Sequence, residues 1–239
     1  QEIEFEKLDA HYDQVVIAVS PGRGGNEAYQ KVFGLGVNHI TKWLQRNAPT
    51  SVVFISSTSV YRQKNAEWVQ EDIADIPENI TSKTLWEAEQ KISTTEQAVT
   101  ILRSSGIYGP GRSHLFRQFM DGNATIEGNG DRYLNMVHRD DLAEAITHSL
   151  TNKDKICGTF NITDDEPVKQ LDFFEWLSEI TKRPMPVFGP EPDPTTRKRG
   201  ITNKRVSNKL FKETLGFQYN YPTFREGLTE ELENWKAMS

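Results

Sequence analysis

The chain alternates between short continuous apolar runs and longer stretches in which apolar residues recur every three to four positions. The continuous runs predict four strands buried on both faces, at residues 14–19, 51–56, 99–103 and 158–163. The helical spacing predicts helices at residues 26–47, 82–95, 115–120, 139–150, 169–181, 207–214 and 224–235. Strands that alternate with helices indicate βαβ units, so the sequence predicts an α/β fold with a mostly parallel sheet.

Composition narrows the function classes. The 239 residues carry a net charge of −6, which argues against a general nucleic-acid binder because such proteins need a basic face. No apolar run approaches the ~20 residues that span a bilayer, so we expect no membrane span. Cys157 is the single cysteine, which excludes an intrachain disulfide and favours a reducing compartment, the cytoplasm or an organelle matrix or stroma. The histidine spacing predicts no metal site.

Polar segments follow the predicted strands, where ligands of parallel sheets bind. The first strand leads into Ser20–Gly25, which is either a loop that offers backbone N–H groups to a cofactor phosphate or a plain strand-to-helix turn. The second leads into residues 56–61, with four consecutive hydroxyl side chains and then Tyr61. These hydroxyls either contact a substrate or serve turn and cap chemistry.

Three further features leave alternatives open. Residues 106–112 form a glycine- and proline-containing turn after the third strand. His138 precedes a helix, where a histidine is more often a structural hydrogen-bonding residue than a catalytic one. The basic residues at 197–199 and 204–205 either meet a phosphate or form a solvated charged loop, and the pattern favours the solvated loop.

Five ordered segments resemble one family. They are residues 53–61 (VFISSTSVY), 86–89 (WEAE), 102–111 (LRSSGIYGPG), 137–143 (VHRDDLA) and the closing stretch from Arg205 to Leu228. Together with the first strand they resemble the extended short-chain dehydrogenase/reductase family, also called the NAD-dependent epimerase/dehydratase family. The atypical, YeeZ-like branch is the most similar.

The resemblance implies a Rossmann-type, doubly wound parallel sheet with a small C-terminal region. Residues 1–165 would form the dinucleotide-binding domain and residues 166–239 the substrate-binding or lid region. It implies NAD or NADP as cofactor, with contacts from a set of residues along the carboxyl edge of the sheet. These are Ser20, Pro21, Ser56, Gly106 and Tyr108.

The resemblance also implies catalytic positions, which here are Ser57, Tyr61 and Thr81. In the family a Ser or Thr at the position of Ser57 polarises the substrate oxygen, and a Tyr-x-x-x-Lys pair transfers the proton. Thr81 and Leu85 stand where that tyrosine and lysine are expected. An aliphatic hydroxyl is far less acidic than a phenol, so Tyr61 or a substrate group would have to supply the proton.

Three functions therefore stay open. One is an NAD(P)-dependent epimerase, dehydratase or reductase with a degenerate site, acting on a sugar or a small carbonyl or hydroxyl compound. The second is a non-catalytic dinucleotide-binding sensor, scaffold or assembly subunit. The third is a purely structural subunit whose fold no longer binds a nucleotide, and a homo-oligomer is an option. Gly106 stands where nucleotide-sugar enzymes often carry an asparagine, so a nucleotide- or phosphate-bearing substrate is one option only.

The family begins with a glycine-rich strand, turn and helix that hold the dinucleotide pyrophosphate. This sequence starts just before what is usually the fourth strand, and we expect that the glycine-rich segment precedes it. The residue that distinguishes NAD from NADP would lie there.

Overall fold

A computed structural model describes residues 11–22, 24–72, 76–152, 154, 156–191 and 201–238. The strands are β1 (Gln14–Ile17), β2 (Ser51–Ser57), β3 (Glu67–Val69), β4 (Ala98–Ser104), β5 (Gly106–Tyr108), β6 (Thr125–Glu127), β7 (Tyr133–Leu134), β8 (Met136–His138), β9 (Gly158–Ile162), β10 (Val168–Lys169), β11 (Val187–Gly189) and β12 (Lys204–Val206). The helices are α1 (Asn26–Tyr29), α2 (Val37–Asn47), α3 (Ile80–Ser93), α4 (His114–Met120), α5 (Arg139–Thr151), α6 (Gln170–Thr181), α7 (Lys209–Leu215) and α8 (Phe224–Met238). Within the described part of the chain, no helix is both long and apolar enough to cross a bilayer.

A four-stranded parallel sheet forms the centre of the molecule, in the order β1-β2-β4-β9. All four predicted strands lie in this sheet. Helices α2 and α3 pack on one face through a core that includes Leu44, Phe54 and Ile92. Helices α5 and α7 cover the other face, where Leu102 and Phe211 are buried. The predicted α/β, doubly wound fold is therefore confirmed.

A third core lies beyond the carboxyl edge of the sheet. Helices α4, α6 and α8 contribute Phe116, Phe173 and Phe224, all of them buried. This core also includes Ile126 and Leu134, which precede position 165 in the chain. The C-terminal region is thus built from chain segments on both sides of the predicted boundary at 165/166.

Several local features differ from the expectation. Strand β1 was expected to be buried on both faces, but it is an edge strand of the described sheet and Val16 is 40% exposed. The predicted helix 26–47 contains a π-helical segment, Gln30–Gly36, between α1 and α2. The five prolines of residues 184–196 predict a loop or lid, but part of this stretch forms β11, which pairs with β6, and residues 192–196 lie outside the described residues.

Two leucines on the helical stretch after β1 test the packing of the first core. Leu44 is fully buried, whereas Leu35 is 61% exposed. We expect Leu44→Ala to lower the free energy of unfolding by about 2–5 kcal/mol, because it removes buried methyl groups and leaves a cavity. Leu35→Ala should change it by less than about 0.5 kcal/mol. Urea unfolding measures both, and equal losses would contradict this packing.

Candidate functional site

The second strand of the sheet ends in two serines that face opposite ways. Successive side chains of a strand point to opposite faces, so Ser56 and Ser57 diverge. The Ser56 hydroxyl donates to the buried carboxylate of Glu89 on α3. Ser57 caps the 3₁₀ turn Thr58–Val60, and its Oγ accepts the backbone N–H of Ser59 at 3.2 Å. Only Ser57 is therefore directed at the space beyond the sheet.

A cavity of about 310 Å³ lies next to Ser57. Its walls come from the end of β2, the β4–β5 connection, the β7–β8 segment, α4 and the start of β12. The lining residues are Ser57, Thr58, Ser59, Ser105, Gly106, Leu115, Arg132, Tyr133, Leu134, Asn135, Met136, Thr202 and Lys204. Among the described residues, the lining is rich in hydroxyl groups and contains two cations and no Asp or Glu.

Lys204 is a buried cation of this lining, because only 6% of its surface is exposed to solvent. Its Nζ donates to the Thr202 hydroxyl at 2.8 Å and, at 3.4 Å, to the backbone carbonyl of Tyr61. Burial, assisted by the nearby positive charge of Arg132, lowers the pKa of the Lys204 ammonium to about 8. The expectation of a solvated charged loop is therefore wrong for Lys204; residues 197–199 lie outside the described residues.

Asn135 fixes the strand that carries Lys204. Its Nδ2 donates to the Lys204 carbonyl at 2.9 Å, and its Oδ1 accepts the Val206 N–H at 2.7 Å. Strand β12 also pairs with β3, which follows the serine turn in the chain. These contacts hold the start of β12 against the cavity.

A buried ion pair lies behind the serine turn. Arg103 Nη2 lies 2.7 Å from Glu89 Oε2, and both side chains are almost wholly excluded from solvent. Arg103 Nη1 also donates to the Tyr61 hydroxyl at 3.0 Å. The pair therefore joins β4, α3 and the two residues that flank the turn, Ser56 and Tyr61.

Tyr61 is oriented into this network and not into the cavity. Its hydroxyl donates to Asn161 Oδ1 at 2.7 Å while it accepts from Arg103. Burial raises the pKa of the Tyr61 phenol to about 12, although the positive charge of Arg103 acts in the opposite direction. The phenol proton is donated to Asn161, and Tyr61 does not line the cavity. This arrangement does not favour Tyr61 as a proton donor to substrate.

Thr81 and Leu85 serve the packing of α3. The Thr81 hydroxyl donates to Asn79 Oδ1 at 2.7 Å in the first turn of the helix, and Thr81 is fully buried. Leu85 is buried in the first core. Neither residue lines the cavity, so the two positions at which the family carries tyrosine and lysine hold a buried residue bonded to the N-cap Asn79 and a core residue here.

The residues predicted to contact the cofactor are spread along the carboxyl edge of the sheet. Gly106 lines the cavity with Ser57, and its N–H donates to the Asn135 carbonyl at 3.0 Å. Ser20 is exposed after β1 and Pro21 is half-buried beside it. Tyr108 is buried, with its hydroxyl donating to the Thr223 carbonyl at 3.2 Å. Of the predicted site residues, the structure thus brings only Ser57 and Gly106 together in the cavity.

His138 acts as the N-cap of α5. Its Nδ1 accepts the Asp140 N–H at 3.3 Å, and its ring lies against Tyr108 and Tyr221. Burial lowers the pKa of the imidazole. These contacts support the structural interpretation of His138. Among the described residues, no group of three or more His, Cys, Asp or Glu side chains could hold a metal ion.

Comparisons with known proteins agree with this architecture. The sequence profile of the family described as RmlD substrate binding domain matches residues 23–236. A candidate NAD-dependent epimerase/dehydratase from Methylobacillus flagellatus is 26% identical, with 94% of this chain and 77% of that chain covered and a TM-score of 0.72. No curated protein matches the sequence significantly.

Two further solved structures share the fold. A variant of UDP-glucuronic acid 4-epimerase from Bacillus cereus, in complex with UDP-4-deoxy-4-fluoro-glucuronic acid and NAD, is 21% identical. The structural alignment covers 100% of this chain and 80% of that chain, with a TM-score of 0.82. Human epimerase family protein SDR39U1 with NADPH is 21% identical over 94% of this chain and 83% of that chain, with a TM-score of 0.77.

Substitutions on α3 test the buried ion pair. Glu89→Gln leaves the Arg103 charge without a counter-ion, so we expect it to lower the free energy of unfolding by about 3–5 kcal/mol. The matched control Glu87→Gln, on an exposed position of the same helix, should change it by less than about 0.5 kcal/mol. The double variant Glu89→Leu/Arg103→Met should recover most of the loss. Equal urea midpoints for the two glutamine variants would contradict this role.

Proposed function

Because this chain belongs to the RmlD substrate binding domain family, we propose that it is an NAD(P)-binding protein of the epimerase, dehydratase or reductase type. The predicted membership of the epimerase/dehydratase family agrees with this match and is confirmed. The substrate is a sugar or a small carbonyl or hydroxyl compound that binds at Ser57. The cavity beside Ser57 carries the proposal, because ligands of doubly wound sheets bind beyond the carboxyl ends of the strands.

The cofactor part of the proposal rests on the similar structures with NAD or NADPH and on the loop after β1. Ser20 is exposed at the carboxyl end of β1, and a Cβ added at Gly22 or Gly25 would meet no atom of the described residues within 4 Å. The space around this loop therefore fits one flank of a dinucleotide, with Ser20, Pro21 and Gly106 as the contacting residues. A bound nicotinamide would supply the hydride donor or acceptor.

Ser57 is placed to polarise a substrate oxygen. A serine hydroxyl has one donor and two acceptor sites, and the Ser59 N–H occupies only an acceptor site. The O–H of Ser57 thus stays available to a carbonyl or hydroxyl oxygen in the cavity. A donor aimed at a developing oxyanion contributes roughly 10²–10³-fold to the rate.

Proton transfer by the usual route is not available to this site. Thr81 and Leu85 replace the usual pair, and the Tyr61 hydroxyl is bonded to Asn161. Loss of a positioned general acid or base costs roughly 10²–10⁴-fold, so we expect slow turnover. The same observations favour a second candidate, a non-catalytic dinucleotide-binding sensor, scaffold or assembly subunit.

Titration of NADH and NADPH into the complete natural polypeptide tests the cofactor part through nicotinamide fluorescence. We expect at least one of the two to bind. Absence of binding by either would contradict the proposal. Binding without turnover across a panel of sugars and carbonyl compounds would favour the non-catalytic candidate.

Variants at Ser57 test the substrate part. Ser57→Ala should lower kcat by about 10²–10³-fold, because it removes the donor to the substrate oxygen. Ser57→Thr keeps the hydroxyl and should retain most of the activity. Steady-state kinetics measures both, and unchanged kcat in Ser57→Ala would exclude this role.

A further inference from the structure

The cavity beside Ser57 contains a buried ammonium, Lys204, that no described carboxylate of the lining balances. Lys204 and Arg132 both line it, Arg132 is paired with Glu127, and no Asp or Glu is present among the described lining residues. We propose that the cavity binds an anionic group, a carboxylate or a phosphate, that is carried on the reacting unit of the substrate and held by Lys204. The proposal rests on the proposed function for the placement of the substrate at Ser57, and it adds the chemical class of that substrate.

The contacts of Lys204 leave its positive charge without a counter-ion among the described residues. A buried ammonium is costly unless it is paired, yet Lys204 forms no ion pair with any of the described residues. Its two acceptors, Thr202 Oγ1 and the Tyr61 carbonyl, are neutral oxygens. An ammonium has three N–H donors, so one donor remains for a ligand.

Two serine hydroxyls in the same lining are also unsatisfied. Ser59 Oγ and Ser105 Oγ are buried and have no hydrogen-bond partner among the described residues. Buried polar atoms almost always have partners, so these two hydroxyls indicate a ligand with oxygen acceptors. Carboxylates and phosphates offer several acceptors within a small volume, and both suit a site made of hydroxyls and an ammonium.

Arg132 supports the site mainly through its field. Its Nε lies 3.0 Å from Glu127 Oε2, so part of its charge is already compensated, and Lys204 is the better candidate for direct contact. Arg132 and Tyr133 are the other titratable residues among the described lining residues. With a pKa of about 8, Lys204 is mostly protonated at pH 7, and a bound anion would favour its charged form further.

The cavity is small enough that a single ligand unit would reach both the anion site and Ser57. About 310 Å³ is at the lower end of the range for small-molecule pockets. One small unit therefore contacts both Ser57 and Lys204, and its anionic group lies within a few bonds of the oxygen that Ser57 polarises. Hydroxy acids, sugar acids and sugar phosphates have this chemistry.

Saturation-transfer NMR on the complete natural polypeptide, without nicotinamide, tests the proposal with D-glucuronate and D-glucose. The two probes share a ring and differ in carboxylate against hydroxymethyl. We expect glucuronate to bind at pH 7 at least tenfold more tightly than glucose. Inorganic phosphate, added as a competitor, distinguishes a carboxylate site from a phosphate site. Displacement of glucuronate indicates a shared anion site that also binds phosphate. No displacement indicates selectivity for carboxylate. If glucuronate does not bind, line broadening of phosphate in ³¹P NMR supports a phosphate site, and no broadening overturns the proposal.

Lys204→Met should weaken binding of the anionic probe at least tenfold, and Lys209→Met, on an exposed position of α7, should not. The folded state lowers the pKa of Lys204 and therefore disfavours its charged form. Lys204→Met, which removes that charge, should consequently not lower Tm. In the parent protein, binding should weaken between pH 7 and pH 9.5 as Lys204 loses its proton, whereas Lys204→Met should show a flat profile.

A second pair of variants avoids the lysine altogether. Ser105→Ala should weaken anion binding without lowering Tm, because the Ser105 hydroxyl has no partner to lose, while the exposed Ser93→Ala should change neither. Equal binding of glucose and glucuronate, or unchanged binding in both Lys204→Met and Ser105→Ala, would overturn the proposal. Because nicotinamide is absent from this experiment, its outcome is independent of whether the protein binds NADH or NADPH.

Discussion

The buried ion pair between Arg103 and Glu89 determines how the rest of the site is arranged. Arg103 comes from the end of β4 and Glu89 from α3, and the pair is excluded from water. The Glu89 carboxylate also accepts the Ser56 hydroxyl, and the Arg103 guanidinium donates to Tyr61. Breaking such a pair leaves an uncompensated buried charge, so the ends of β2 and β4 and the turn between Ser56 and Tyr61 are held together as one unit.

This constraint decides which side chains are available for chemistry. The Ser56 and Tyr61 hydroxyls form hydrogen bonds with buried side chains behind the turn. Because successive side chains of a strand point to opposite faces, Ser57 lies at the cavity. The result is a cavity lined by the Ser57 hydroxyl and a buried ammonium, Lys204, whereas the Tyr61 phenol is hydrogen-bonded to Asn161 and absent from the lining. Such a lining suits the binding and orientation of an oxygen-rich anion.

The sequence predicted the parts of the fold that are long enough to show a period. All four strands of the central sheet and the helices around it were found from apolar patterns, whereas β3, β5–β8 and β10–β12 span two or three residues each and hold no period to detect. The position of Ser57 was predicted from the order of motifs. The pairing of Arg103 with Glu89 was missed, although an arginine at the end of an apolar strand was a signal that a buried partner exists. The burial of Lys204 could not be predicted, because neighbouring charges suggested solvent and only the pairing of β12 with β3 and Asn135 buries it.

We propose that cofactor and substrate meet at the carboxyl edge of the sheet, beside Ser57. A crystal structure of the complete natural polypeptide soaked with NADH or NADPH tests this proposal most directly. We expect density for the nicotinamide ring beside Ser57, with the cavity of Lys204 open to the reactive face of that ring. Density for the dinucleotide at a different edge of the sheet, or a ring that fills the Lys204 cavity itself, would contradict it.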